Sequence, residues 1–258
     1  MSDLKKIKLD RFLLSPEMAE KSLLEILQTK VKDVAIIHNI VDMIKPLSFG
    51  ERYSHYLNIL GLIYAYERGQ TGIVVECGVW KGGSSIGMLL AQKLLWGKVL
   101  FPVYMFDSFM SMPEPSKLDG PAATDWVDTE HFYPSKESGE CYMSEVLDSI
   151  RNFKIEDSTY KIIQGYFEET LPNIKDILGQ QKIILLRLDS DWYESTKITM
   201  DYMMPFVIDD GLIIVDDYHW VDGCALAVHQ YLGANNLTYR ISNIREVTYF
   251  FKNNLKWF

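Results

Sequence analysis

Four aspartates stand at the ends of two apolar runs. Leu212, Ile213, Ile214 and Val215 lead directly into Asp216 and Asp217, and the run IILLRL at 183–188 leads into Asp189 and, two residues on, Asp191. Each run has the length and apolarity of a strand buried on both faces of a parallel sheet. Ligands of such sheets sit just beyond the carboxyl ends of the strands. Adjacent carboxylates repel, so a cation or a shared proton must lie between them. Four acids on two strand ends therefore make a metal cup. The bland alternatives are that Asp189 and Asp191 cap the helix that follows and that Asp216 pairs with Arg187. They suit one acid better than four.

A second group of residues lies in VVECGVWKGGSS, 74–85. Gly78, Gly82 and Gly83 permit a tight turn with positive φ and let a ligand approach the backbone, at a point where a helix begins. Val79, Lys81 and Ser84 belong to the same turn. The spacing is not G-x-G-x-x-G, which argues against a phosphate-cradling dinucleotide loop; such turns also serve helix–strand packing. Glu76 suits the amino group of an amino-acid-bearing cofactor, reached through the loop or a water. Asp107, followed by Ser108, closes VYMF and supplies the acid that accepts ribose hydroxyls from the next strand. Gln164, Gly165, Tyr166 and Phe167 offer an amide and aromatic faces for an adenine ring. Three consecutive strand ends thus serve one adenosine-bearing ligand. His219, close to Asp216 and Asp217, is an alternative base or substrate contact, although a lone histidine is more often structural. His229 reads as packing.

Placing these groups requires alternating strands and helices. Strands are expected at 73–77, 103–106, 160–164, 183–188 and 211–215, with helices at 84–95, 143–152, 174–178, 195–207 and 224–232. Two closing strands, TYRISN at 238–243 and EVTYFF at 246–251, read as a hairpin that ends an otherwise parallel sheet. Before this unit, residues 1–70 read as a helical extension. Ser15, Pro16 and Glu17 form a helix start, with Leu23, Leu24, Leu27 and Val31 on one face. A second helix fits 34–44, stopped by Pro46, and a third fits 49–68, ending at Gly69. The stretch 108–141 is rich in Pro, Ser, Asp and Gly, with Trp126, Phe132 and Tyr133 interleaved. It exceeds the roughly 12–15 residues of an ordinary connection, and its place after the second strand suits a lid. The resulting division is 1–70 and 71–258, the fold class α/β, doubly wound and Rossmann-like, with an antiparallel C-terminal end.

Composition narrows the partners. In 258 residues, 48% are apolar and the formal net charge is -9, enough apolar material for a sizeable core and too acidic a chain for a nucleic-acid partner. A small uncharged or cationic substrate fits better. Cys77, Cys141 and Cys224 show neither paired nor zinc-like spacing, which with no signal peptide points to a reducing compartment, the cytoplasm. No apolar run approaches the roughly 20 residues of a membrane span.

Taken together, VVECGVWKGGSS, FDSF at 106–109, LRLDSDWYEST and VDDY resemble the macrocin-type sugar O-methyltransferases, the group that includes the O-methyltransferase of novobiocin's deoxysugar. The likeness covers roughly residues 50–232. It implies a class I S-adenosylmethionine-dependent methyltransferase sheet, with magnesium or another hard divalent cation held at the fourth and fifth strand ends. Carried over by position, Asp189, Asp216 and Asp217 are the metal ligands and Asp191 the general base beside a sugar-containing small-molecule acceptor. A metal-dependent catechol O-methyltransferase is the nearest alternative. A Rossmann NAD-dependent oxidoreductase leaves the four acids unexplained, and a subunit without chemistry leaves them without purpose. The helical N-terminal region also suits a homo-oligomer.

Overall fold

The computed structural model describes residues 15–110, 112–128 and 139–253, without the side chains of 128 and 139–142. Phe132, Tyr133 and the thiol of Cys141, named above, lie outside what is described. The elements in order are α1 (Pro16–Lys30), α2 (Ala35–Ile44), α3 (Arg52–Glu67), β1 (Ile73–Cys77), α4 (Gly83–Trp96), β2 (Val103–Asp107), α5 (Gly120–Asp128), α6 (Gly139–Asn152), β3 (Tyr160–Gln164), α7 (Phe167–Thr170), α8 (Ile174–Leu178), β4 (Ile183–Leu188), α9 (Tyr193–Met203), β5 (Val207–Val215), α10 (Asp222–Ala234), β6 (Ser242–Ile244) and β7 (Val247–Phe251).

The strands form one sheet in the order β3-β2-β1-β4-β5-β7-β6. The five N-terminal strands run parallel; β7 lies antiparallel to β5 and β6 antiparallel to β7. The chain order reverses between β1 and β4, so the carboxyl ends of these two strands flank the crevice where doubly wound sheets bind ligands. β1 and β4 are buried along their whole length, as strands covered on both faces must be. One apolar core joins α1 to α4 with Val74, Leu185, Leu212 and Ile214 on one face. The other joins α8, α9 and α10 with Val75, Leu186, Ile213 and Val215. The N-terminal helices therefore cover the sheet.

Local signals explain most boundaries. Ser15 caps α1 by accepting from the Met18 N–H at 3.2 Å, with Pro16 in the first turn, an arrangement that contributes about 1 kcal/mol. Three expectations are corrected. α9 stops at Met203, not 207, because Pro205 in the following tight turn cannot continue the helical ladder. β5 starts at Val207, four residues early; its polar stretch Asp209–Asp210 hides the strand, yet Asp210 and Gly211 exchange backbone bonds with Lys252. In the closing hairpin, pairing begins at Ser242 instead of 238.

The described residues of the 108–141 stretch are also more regular than a loop. Ser116 and Asp119 form a reciprocal cap on a 3-10 turn, and α5 follows. Gly120 and Pro121, two of the residues that make the stretch look irregular, open this helix.

Candidate functional site

The two proposed groups meet along one edge of the sheet. Asp189, Asp216 and Asp217 each present a carboxylate oxygen, and these three atoms lie within 4.8 Å of one another. β4 and β5 are in register, Leu188 against Val215, and the Asp216 N–H donates to the Leu188 carbonyl at 2.9 Å, so both strands deliver their acids at one level. Asp191 is held there differently. Its φ is 56°, left-handed for a residue with a side chain, and its N–H donates to Asp217 Oδ2 at 3.0 Å. Aspartate tolerates that backbone better than most residues, and such strain tends to collect at functional sites.

Burial and then mutual repulsion show in the acid–base properties. Burial, then the charge of Asp216, raises the Asp189 carboxyl well above its usual range. Burial, then Asp191 and Asp189, does the same for Asp217. Asp191 is pushed up to about 7 by burial, Asp216 and Asp107. Carboxylates gathered this way hold protons unless a cation replaces them. Three hard oxygen donors converging at this spacing fit Mg2+ or another hard divalent cation.

Arg187 supplies the only charge compensation among the described residues of the cup. Its guanidinium is 1% exposed, with Nη2 at 2.8 Å from both Asp189 Oδ2 and Asp216 Oδ1 and Nε at 3.1 Å from Glu76 Oε1. The sequence reading admitted Arg187 only as a partner of Asp216, in competition with a metal role. The pair is formed, and it engages one of the two Asp216 oxygens. Glu76 is likewise committed: it accepts from Arg187 and from Ser85 Oγ, and burial pushes its carboxyl to about 7 against the pull of Arg187.

The glycine turn is built as expected at two positions. Gly78 and Gly82 have φ of 88° and 85°. At Gly78 any Cβ would collide with the Asp189 carbonyl, so this glycine also lets the β1 turn press on the end of β4. Gly83 is different: it sits in the first turn of α4 with ordinary φ, and its bare Cα accommodates Leu47 and Ser48. Ser84 is buried in the same turn. Lys81 pairs with Glu145 at 3.2 Å and lies over the Trp80 ring.

Asp107 does something the sequence did not show. Its Oδ2 accepts from the backbone N–H groups of Val79 at 2.6 Å and Trp80 at 3.0 Å, and its Oδ1 from that of Phe109 at 2.7 Å. The carboxylate ties the β1 turn to the end of β2. Burial raises its pKa, and the three amides oppose that. Ser108 accepts from the Met110 N–H at 3.1 Å. On β3, Gln164 is exposed opposite Asp107. Gly165 (φ 139°) donates to the Asp107 carbonyl at 3.0 Å, and half-buried Tyr166 and Phe167 follow. The three strand ends are thus contiguous.

His219 is exposed and packs edge-on against Tyr218, in the 3-10 turn that begins at Asp217. His229 bonds the Tyr218 hydroxyl at 2.7 Å. The insertion meets the cup's flank. Trp192 Nε1 donates to the Pro113 carbonyl at 2.8 Å, and buried Asp119 accepts the Tyr193 N–H at 2.6 Å, capping α9 from outside its own chain segment. Asp119 carries no local motif that would reveal this. Among the described residues, no helix is long and apolar enough to cross a membrane.

The family model described as macrocin O-methyltransferase (TylF) matches residues 62–253. The chain is 32% identical over 177 residues to the 8-demethyl-8-(2,3-dimethoxy-alpha-L-rhamnosyl)-tetracenomycin-C 4'-O-methyltransferase of Streptomyces olivaceus, covering 68% of this chain and 64% of that relative. It is 33% identical over 164 residues to the demethyldecarbamoylnovobiocin O-methyltransferase of Streptomyces niveus, covering 62% of this chain and 58% of that relative. The matched part is therefore less than two thirds of either relative. Among solved structures, the O-methyltransferase NovP superposes with a TM-score of 0.62 at 25% identity, covering 78% of this chain and 80% of that one.

Proposed function

Because the chain belongs to the macrocin O-methyltransferase (TylF) family, we propose that it transfers a methyl group from S-adenosylmethionine to a hydroxyl of a sugar-containing small molecule, with Mg2+ or another hard divalent cation in the acid cup. The observation that carries this reading is the convergence of Asp189, Asp216 and Asp217 within 4.8 Å, next to a glycine turn pressed against the same strand end. The similar proteins of Streptomyces are named for acceptors that are a rhamnosyl-tetracenomycin and a novobiocin precursor. A sugar acceptor for this chain rests on that similarity.

Methyl transfer from a sulfonium is an in-line displacement, so the protein's work is alignment and removal of one proton. The turn at 78–82, tied down by Asp107, would receive the amino-acid and ribose end of the donor, and the segment 164–167 its adenine. Asp189, Asp216 and Asp217 would hold the cation. A bound hard cation lowers the pKa of a coordinated hydroxyl and chelates its neighbour, which fixes the hydroxyl that is aimed. Asp191 would then take the hydroxyl proton; a carboxyl pushed to about 7 is well matched to accept a proton at neutral pH. Cytoplasmic residence and assembly as a homo-oligomer belong to the same proposal. The exposed Met18, Ile26 and Met43 on the outer helices support the assembly.

The test is methyl transfer from labelled S-adenosylmethionine, with Mg2+, to a nucleotide-linked deoxysugar, a deoxysugar glycoside and a simple catechol. Label on a sugar hydroxyl supports the reading. Label on the catechol alone would move the protein to the catechol class.

A further inference from the structure

The helix α3 begins at Arg52, outside the span matched by the family model, yet its first turn reaches the acid cup. Gly61 makes this possible. A side chain there would run into Leu212 and Leu185, so the bare position lets α3 lie close on β4 and β5. Ser54 is seven residues earlier, two turns along the same face. Ser54 Oγ accepts from Arg187 Nη1 at 3.2 Å and donates to Asp216 Oδ1 at 3.3 Å. The neighbouring Tyr53 bonds Glu246 at the β6–β7 turn, and Arg52 pairs with Glu20 on α1 at 3.0 Å and with Asp42 on α2. Three consecutive residues thus fix the helix start from three directions.

We propose that Arg187, steadied by Ser54 from α3 and by Glu76 from β1, is the positioning residue of the cup, holding Asp189 and Asp216 side by side as preformed cation ligands. The bonding pattern supports this assignment. Nη2 bridges one oxygen of Asp189 and one of Asp216, and Ser54 shares that same Asp216 oxygen. The second oxygen of each carboxylate is left for the cation. Glu76 and Ser54 occupy Nε and Nη1, so the guanidinium plane cannot swing away. A planar fork with several fixed donors can do this, and an ammonium cannot. Partners of this kind commonly change metal affinity about 10- to 100-fold when removed.

Positioning and plain electrostatics predict opposite signs. A guanidinium beside a divalent cation repels it, so if charge were its only influence, replacing Arg187 by a neutral residue would tighten cation binding. If Arg187 orders the ligands, its replacement loosens binding. Because this rests on the cation reading, wild-type protein stripped with a chelator is first titrated calorimetrically with Mg2+ alone, and separately with S-adenosylmethionine. Absence of Mg2+ binding there would overturn the cation reading itself, and the inference with it. Given wild-type binding, Arg187→Lys keeps the charge and loses the fork, and is expected to weaken Mg2+ about 30-fold. Ser54→Ala alters no charge and is expected to weaken Mg2+ about 3- to 10-fold, with Ser54→Thr restoring most of the loss. S-adenosylmethionine affinity should stay within about twofold throughout, which a general structural role would not permit. Should Arg187→Lys fail to fold, the Ser54 pair still decides. Unchanged or tighter Mg2+ binding in folded Ser54→Ala and Arg187→Lys would overturn the inference.

Discussion

Asp107 and the Asp189–Asp216–Asp217 trio are all carboxylates at strand ends of one sheet edge, and their surroundings differ in kind. Asp107 meets backbone: three N–H groups point at its two oxygens. The trio meets one another, with one guanidinium shared between two of its members. A carboxylate that accepts several amide bonds serves as a fastener for the backbone that supplies them. Carboxylates that face carboxylates stay protonated or take a cation. Proximity to a sheet's ligand crevice therefore does not by itself separate a structural acid from a ligand-binding one; the donors around it do.

The largest effects should fall on the trio. Asp216→Asn combined with Asp217→Asn removes two of three ligands and is expected to abolish measurable Mg2+ binding and cut turnover by about 1,000-fold or more. S-adenosylmethionine affinity, measured by calorimetry, should be nearly unchanged. Asp191→Asn is expected to lower turnover about 100- to 10,000-fold while leaving both Mg2+ and donor affinity intact; retained turnover would remove Asp191 as the base. Asp107→Asn should give the mirror image. It keeps one acceptor oxygen and turns an NH2 toward an N–H donor, costing roughly 1–3 kcal/mol of stability. Donor affinity should weaken about 10-fold with Mg2+ binding unaltered. Loss of Mg2+ binding in this variant would blur the contrast between the two regions.

The smallest effect is in pH dependence. Asp191 and Glu76 sit near 7 in the folded chain, above their usual unfolded values of about 4. Between those limits the folded protein binds more protons than the unfolded one, so stability of the chelator-treated protein should fall as pH rises from about 4 to 7. Saturating Mg2+ should flatten or reverse that slope, as followed by thermal melting. His55, buried on α3 and held down to about 4 by burial and by Arg187, works in the other direction. Its unfolded pKa is about 6.5, so its contribution is present above that value and is lost as pH falls toward 4. His55→Gln should reduce the acid sensitivity in that window.

What the sequence disclosed and what it hid follow from the range of the interactions involved. β1, β3 and β4 were legible to the residue because apolar runs bounded by polar residues are local signals. The four aspartates were legible as a group because strand ends in a parallel sheet are level by construction. The polar start of β5 was hidden, since its pairing with Lys252 comes from the far end of the chain. Arg187 was legible only as a partner of Asp216, and the rest of its contacts were hidden for a related reason. Glu76 from β1 and Ser54 from α3, elements distant in the chain, converge on it. Asp107 was read as an acceptor of ribose hydroxyls, and its fastening of the β1 turn was hidden, because its three partners are backbone amides that no side-chain pattern records. Asp119, capping α9 from within the insertion, had no local signal at all.

The most direct test of the division between the two regions is calorimetry on chelator-stripped protein, first with S-adenosylmethionine and with NAD, then with a sugar acceptor in the absence and presence of Mg2+. The account predicts that S-adenosylmethionine binds without metal, that NAD does not bind, and that the acceptor binds only once Mg2+ is present. Binding of NAD in place of S-adenosylmethionine, or acceptor binding indifferent to Mg2+, would contradict it.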